Sequence, residues 1–376
     1  MSILGMGLAG LGVWQRRRAR VACERAGLTE KAEQHIVGGD IAWMPARPGR
    51  DTAPLARGMD PVSADRTHIL ILNYNGRALL AECLPSILEA SARSPVPCAV
   101  TVVDNGSTDG SLDDLARDWP TVGVVCGPNR GLASFNAVLA RRDEVVVLLL
   151  NNDVKLAPGA VAPLLSAFDA HDDALFAAPQ CWTFDGRQYE GMRTRVRTRF
   201  GLVQGMCRVP GYRARLGSPD LTAASGPVLA VDRRKFLALG GYDPLYFPGR
   251  IEDLDLGFRA WMAGWRGYYV PESVAYHRGF GSFGPAFGRA GCDRLALRNS
   301  LIFAWKNLDG RRLASHLAWI PVRLAHALAT RRATFAVALV EAIARLRQVR
   351  AARRALEVGR GDWMGRQEAF FRRFRW

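Results

Sequence analysis

The sequence predicts an α/β protein built on a parallel, doubly wound sheet, and three observations carry that prediction. From His68 onward, apolar runs of strand length alternate with segments of helical periodicity. The run Val145–Leu150 is apolar throughout and half β-branched, as a strand buried on both faces must be. That run ends in Asn151-Asn152-Asp153, at the strand's carboxyl end, where open α/β sheets bind their ligands.

Each element follows from local pattern. Residues 1–65 carry Gly38-Gly39, scattered prolines and no sustained period, and are expected to form a poorly ordered extension. His68–Leu72 predicts the first strand, and Leu79, Leu80, Cys83, Leu84, Ile87 and Leu88 predict a helix after it. Val96–Val103 and Val122–Cys126 predict two more strands, with a helix through Leu112 and Leu115 between them. Asn129-Arg130-Gly131 leads into a helix through Asn136 and Leu139. Beyond Pro158 come a helix over Val161–Phe168 and a strand over Leu175–Pro179, then the Arg- and Gly-rich stretch 182–222 with little periodicity. So long an irregular stretch in a compact domain is usually functional or mobile. Gly226–Asp232 predicts a strand, and Arg233–Leu239 a short helix stopped by Gly240-Gly241. Glu252, Asp253 and Asp255 open another helix, where its dipole favours carboxylates. A strand over Arg266–Val270 and the segment Ala275-Tyr276-His277 follow. Past about residue 295 the chain reads as helical. Phe335, Leu339, Ile343, Leu346 and Val349 trace one apolar stripe, with Arg345, Arg350, Arg353 and Arg354 on the polar side. Such a basic amphipathic helix suits an anionic membrane surface, or else packs on the domain with a solvated basic face.

The 376 residues are 49% apolar and 23% charged, enough for one large core or two and too apolar for disorder. The net charge of +16 implies an anionic partner: phosphorylated substrate, membrane surface or nucleic acid. Seven scattered cysteines without a Cys-x-x-Cys pair argue against a zinc site or a disulfide framework, and favour a reducing, cytoplasmic setting. Met1–Trp14 is apolar, but its basic cluster Arg16–Arg20 follows rather than precedes it, the reverse of a secretory signal.

Five pieces in order give the chain a family resemblance. They are Leu72-Asn73-Tyr74-Asn75-Gly76, the segment Val102-Val103-Asp104 through Asp109-Gly110, Asn129-Arg130-Gly131, Leu149–Asp153, and Glu252-Asp253-Leu254-Asp255 with the later Gly264-Trp265 and His277. Arg298-Asn299 resembles a further element. Together they resemble the family 2 glycosyltransferases of the GT-A fold, in the bacterial branch that builds surface polysaccharides, over roughly residues 67–305. The resemblance implies a GT-A catalytic domain over 66–300, a Rossmann-like, mostly parallel sheet flanked by helices, with a basic helical extension over 301–376. It implies nucleotide-sugar contacts from Asn73, Asp104, Asn129, Arg130, Asn136 and Asn152. It implies Asp153 and His277 as ligands of a divalent metal, Mn²⁺ or Mg²⁺, with Asn151 replacing the first carboxylate of the family's Asp-x-Asp. It implies Asp253 as general base, and Glu252 and Gly226 on the acceptor side.

The expected reaction is inverting transfer of one sugar, rhamnose among the candidates, from a UDP- or dTDP-sugar to a lipid-linked saccharide. The enzyme is expected to be peripheral on the inner, cytoplasmic face of the membrane. A non-catalytic sugar-nucleotide-binding scaffold of the same fold is the alternative. The chain lacks a Gln-x-x-Arg-Trp motif, a Gly-x-Gly-x-x-Gly after the first strand and a P-loop, which speaks against a processive synthase, a dehydrogenase and a P-loop NTPase. No nucleic-acid-binding motif accompanies the positive charge, so nucleic acid is not expected as a partner.

Overall fold

The computed structural model describes residues 65–279, 283–357 and 362–376. The expectations for Met1–Trp14, Arg16–Arg20 and nearly all of the 1–65 extension lie outside the described residues.

Strands β1 (Thr67–Asn73), β2 (Cys98–Asp104), β3 (Gly123–Cys126) and β4 (Val146–Asn151) form the predicted parallel half of the sheet. Helices α1 (Arg77–Ala92), α2 (Ser111–Asp118) and α3 (Ser134–Leu139) connect them. Val146–Leu150 is buried without interruption, because neighbouring strands flank β4 and side chains cover both faces. Register puts Asn73 beside Asp104 and Leu72 beside Asn151, so the polar ends of three strands share one edge.

The other half is mixed. The short strand β5 (Val154–Leu156), helix α4 (Val161–Ala170), β6 (Ala174–Thr183) and β7 (Tyr189–Gly191) lead into a separate β8–β9 hairpin (Arg195–Arg199, Leu202–Met206). Then come β10 (Asp220–Leu221), β11 (Val228–Asp232), α5 (Arg233–Ala238), α6 (Glu252–Met262) and β12 (Arg266–His277). The sheet order is β10-β12-β6-β11-β4-β1-β2-β3. β11 runs antiparallel to both β4 and β6, whereas β6 and β12 pair in parallel. The chain reaches β11 at the carboxyl end of β4, where Asn151 N donates to Pro227 O at 3.0 Å, and can only run back along it. The stretch read as irregular, 182–222, therefore holds several short strands. Arg193, Arg195 and Arg373 converge on Asp220.

Among the described residues five helical segments close the chain: α7 (Phe283–Asn307), broken by a kink at Gly288, α8 (Gly310–Ala329), α9 (Thr334–Ala344), α10 (Leu346–Glu357) and α11 (Trp363–Arg373). They do not form an appendage. Phe258 of α6 meets Phe303 and Phe370 edge-on, and Val196 N donates to Phe374 O at 2.8 Å. The expected boundary at residue 300 falls inside α7.

The single amphipathic helix expected over 335–354 breaks at Arg345 into α9 and α10. Most of its stripe packs on the domain, the second of the two expected orientations. Phe335 and Val349 are buried and Leu339 packs on the same core, while Ile343 is exposed. Arg353 donates to the carbonyls of Trp305 and Leu308 and pairs with Asp309, closing the end of α7. Cys83, Cys98, Cys181 and Cys207 are free thiols.

Candidate active site

The site gathers where β4 runs out. Asp153 follows β4, and Val154 of β5 pairs with His277 at the end of β12, which brings His277 Nε2 to 3.4 Å from Asp153 Oδ1. On its other side His277 Nδ1 lies 2.6 Å from Glu190 Oε2, a carboxylate presented by β7. Burial alone would lower the imidazole pKa, but hydrogen bonds and charge from Asp153 and Glu190 outweigh it and push it up to about 9.

Asp153 is 4% exposed, and among the described residues its buried Oδ1 has no partner nearer than His277 Nε2 at 3.4 Å. Such an atom is costly unless something positive meets it. One carboxylate oxygen beside one imidazole nitrogen is a donor pair that fits a divalent ion of the Mn²⁺ type. Among the described residues no cluster of three or more His, Cys, Asp or Glu forms a complete ion cage. Any ion held here would need further oxygen ligands from outside the protein.

Glu252 and Asp253 open α6, and the loop before them is strained. Arg250 and Ile251 both have positive φ, at 80° and 74°. A β-branched residue at such an angle is a true outlier that surrounding contacts must hold, at roughly 1–3 kcal/mol. The buried amide of Asn299 supplies those contacts. Its Nδ2 is within 2.9 Å of the carbonyls of Tyr246, Gly249 and Arg250, and Arg298 donates to Phe247 O at 2.7 Å. The Arg298-Asn299 pair thus clamps the segment that aims α6.

The acidic pair is high in pKa. Burial, with added repulsion from Asp253, pushes Glu252 up to about 8, and Glu252 Oε2 is buried without a partner. Burial likewise raises Asp253, although the amides of Leu254 and Gly226 hydrogen-bond its carboxylate. Gly226 has φ +72, and a Cβ there would lie 2.4 Å from Met192 Cε, so the position demands glycine. Gly226 precedes Pro227, whose carbonyl takes the Asn151 amide, so Asp253 stands at the same sheet end as Asp153 and His277. A carboxyl group raised toward neutral pH is suited to accept a proton from a hydroxyl.

Asp255 is held apart from this chemistry. Fully buried, it accepts from Tyr246 Oη, Arg259 Nε, Lys306 Nζ and Asn307 Nδ2. Burial opposes its charge, but Lys306 and Arg259 keep it well below the usual carboxylate range. Lys306 also reaches Asp243 at 2.6 Å.

The residues expected to contact the nucleotide divide into two groups. Arg130 is exposed and lines a crevice with Gly131, Phe247, Pro248, Gly249 and Glu252. Gly131 has φ +59, and a Cβ there would lie 3.0 Å from Pro248 O, so the two loops touch through glycine. Asn129 Oδ1 accepts from Gly131 N and fixes that turn. Asn73 and Asp104, by contrast, have no exposed surface. Asn73 donates to Asp104 and to the hydroxyls of Ser107 and Ser111, and its Oδ1 accepts from Asn152. Asp104 accepts from Gly106 N, Ser107 N and Ser107 Oγ, so these side chains shape the loop from inside it. Asn136 binds the Tyr242 amide and the carbonyls of Tyr242 and Gly240, which ties α3 to the loop after α5. Its polar atoms are engaged there, away from the phosphate-approach role expected of it.

Sequence reasoning missed Glu190. It lies 87 residues from His277 in a stretch without periodicity, so only its acidity was visible. Lys306 was missed because its partner Asp255 lies 51 residues away.

The family model "Glycosyl transferase family 2" matches residues 68–218. An N-acetylglucosaminyl-diphospho-decaprenol L-rhamnosyltransferase of Mycobacterium tuberculosis is 30% identical over 242 residues, covering 56% of this chain and 75% of that one. Among solved structures, GalNAc-T7 with UDP, GalNAc and Mn²⁺ aligns at TM-score 0.46 and 20% identity, over 56% of this chain and 43% of the other. A mannosyltransferase from Pyrobaculum calidifontis in complex with GDP-Man and Mn²⁺ aligns at TM-score 0.43 and 17% identity, over 93% and 95%. The ordered motifs meet at one sheet edge, and the chain belongs to glycosyl transferase family 2: it is a glycosyltransferase.

Proposed function

We propose that the enzyme moves one sugar, with rhamnose the first candidate, from a dTDP- or UDP-sugar to a lipid-linked saccharide at the inner face of the cytoplasmic membrane. The mycobacterial relative acts on a diphospho-decaprenol-linked sugar by its name, which supports this acceptor class and this sugar. The observation that carries the proposal is the convergence of Asp153, His277 and Asp253 on one sheet end.

Asp153 and His277 would hold a divalent cation, whose chemistry when bound is to neutralise the departing diphosphate. The exposed Arg130 would add a positive charge on the donor-phosphate side. Asp253 accepts the proton of the acceptor hydroxyl as that oxygen bonds to the anomeric carbon. The bond from that carbon to the diphosphate oxygen breaks on the opposite face, so configuration inverts. Glu252 and Gly226 border the acceptor side, Gly226 by fixing Asp253 through its amide.

The test is direct. Purified enzyme with Mn²⁺, dTDP-rhamnose and a prenyl-diphospho-N-acetylglucosamine analogue should release dTDP and yield a disaccharide lipid seen by mass spectrometry. Product formed equally well by Asp153→Asn or by Asp253→Asn protein would overturn the assignment.

A further inference from the structure

The C-terminal helices carry an apolar surface that the expected amphipathic stripe does not explain. Every exposed position of α9 is apolar, among them Val337, Val340 and Ile343. On α8, the exposed positions from Leu317 to Ala329 are apolar except His326, and Val322 and Leu328 stand among them. Leu328 is 69% exposed and Val340 67%, values of side chains that no other described residue covers. On α8, successive 100° steps keep these residues within one arc. Isolated exposed apolar residues are ordinary, but two neighbouring helices with apolar outer faces are not.

Charge says what covers them. Residues 310–357 contain ten arginines, no lysine or aspartate, and only the glutamates Glu341 and Glu357. Glu341 is already paired with Arg294. Arg331 and Arg332 are exposed at the turn joining α8 to α9, and Arg347 and Arg350 are exposed on α10. Beside α8, the half-exposed Phe200 at the β8–β9 tip packs edge-on against Trp319 at 5.0 Å, an aromatic pair suited to a headgroup layer. A second copy of a chain with net charge +16 would bring like charge onto like. An anionic bilayer satisfies both the apolar face and its arginine rim. No described helix is long and apolar enough to cross a membrane, so this face lies on the surface.

We infer that α8 and α9 form a membrane-docking face that seats the enzyme on anionic lipid, with Leu328 and Val340 entering the interface. This inference deepens the reading of a lipid-linked acceptor, but its deciding readout, vesicle flotation, needs neither donor nor acceptor and so fails independently of that reading.

The full chain is floated with vesicles of phosphatidylcholine alone and of phosphatidylcholine mixed with phosphatidylglycerol. Binding should require the anionic lipid and weaken as salt rises. The exposed substitutions Leu328→Asp and Val340→Asp should each weaken it about tenfold or more. Unchanged melting temperature and unchanged transfer to a short-chain soluble acceptor would show that the fold and active site are intact. Arg331→Glu with Arg332→Glu provides a second route, removing charge without touching the apolar face. Wild-type protein that stays off anionic vesicles, or variants that bind as well as wild type, would overturn the inference. So would a wild-type dimer in sedimentation that the same substitutions split.

Discussion

Glu190 Oε2 lies 2.6 Å from His277 Nδ1, while the opposite ring nitrogen faces Asp153. The carboxylate fixes the ring's orientation and keeps Nδ1 protonated, leaving Nε2 as the nitrogen directed at the site.

Glu190→Gln should therefore weaken metal affinity by about 10–100-fold, with little change in fold. Titration of Mn²⁺ followed by the signal of the free ion, in the presence of the nucleoside diphosphate, measures this without turnover. An unchanged affinity would leave Glu190 as a purely structural partner.

Asp253→Asn keeps the size and the amide contacts of the side chain but removes its basicity. Turnover should fall by about 10²–10⁴, the range for losing a general base. Donor binding followed by thermal shift should persist, because the role proposed for Asp253 is toward the acceptor.

Glu252 makes stability fall as pH rises. Its folded pKa of about 8 lies above the ordinary value of 4.5, so the folded state holds the proton more tightly. The stabilisation is complete below about pH 4.5 and is lost as pH climbs through 8. Asp253 shifts the same way. Between pH 5 and pH 9 the melting temperature should drop, by at most about 2–4 °C for each kcal/mol lost. Glu252→Gln should flatten that slope.

Asn299→Ala removes the amide that ties down the carbonyls before α6. Stability should fall by about 1–3 kcal/mol, as expected when buried acceptors lose their donor. Turnover should fall more than donor affinity, since the relaxed Arg250–Ile251 backbone no longer aims Asp253. Urea denaturation and a kcat and KM comparison separate the two effects.

Lys306→Met should cost about 3–5 kcal/mol by stranding the Asp255 charge in the core. Pairing it with Asp255→Asn should recover part of that loss in a double-mutant cycle.

Much of the fold was legible because strand and helix period are local. The apolar run Val146–Leu150 could only be a central strand, and Asp153 after it could only lie at the carboxyl end. The antiparallel course of β11 was not legible, since a buried strand has the same composition in either direction. Asn73 and Asp104 were readable as polar ends of neighbouring strands, but not as side chains spent on each other.

By itself, the sequence determined the order of elements, the carboxyl-edge placement of the polar motifs and the acidic start of α6, because each depends on neighbours a few residues apart. Only the tertiary structure decided that Glu190 backs His277, that Asn299 clamps the loop before Asp253, and that Lys306 neutralises Asp255. These contacts join residues that lie far apart in the chain, and no local period encodes them. It also decided which side of α9 is covered. A helical repeat shows that a face is apolar, but whether protein or solvent meets that face depends on where α7 passes.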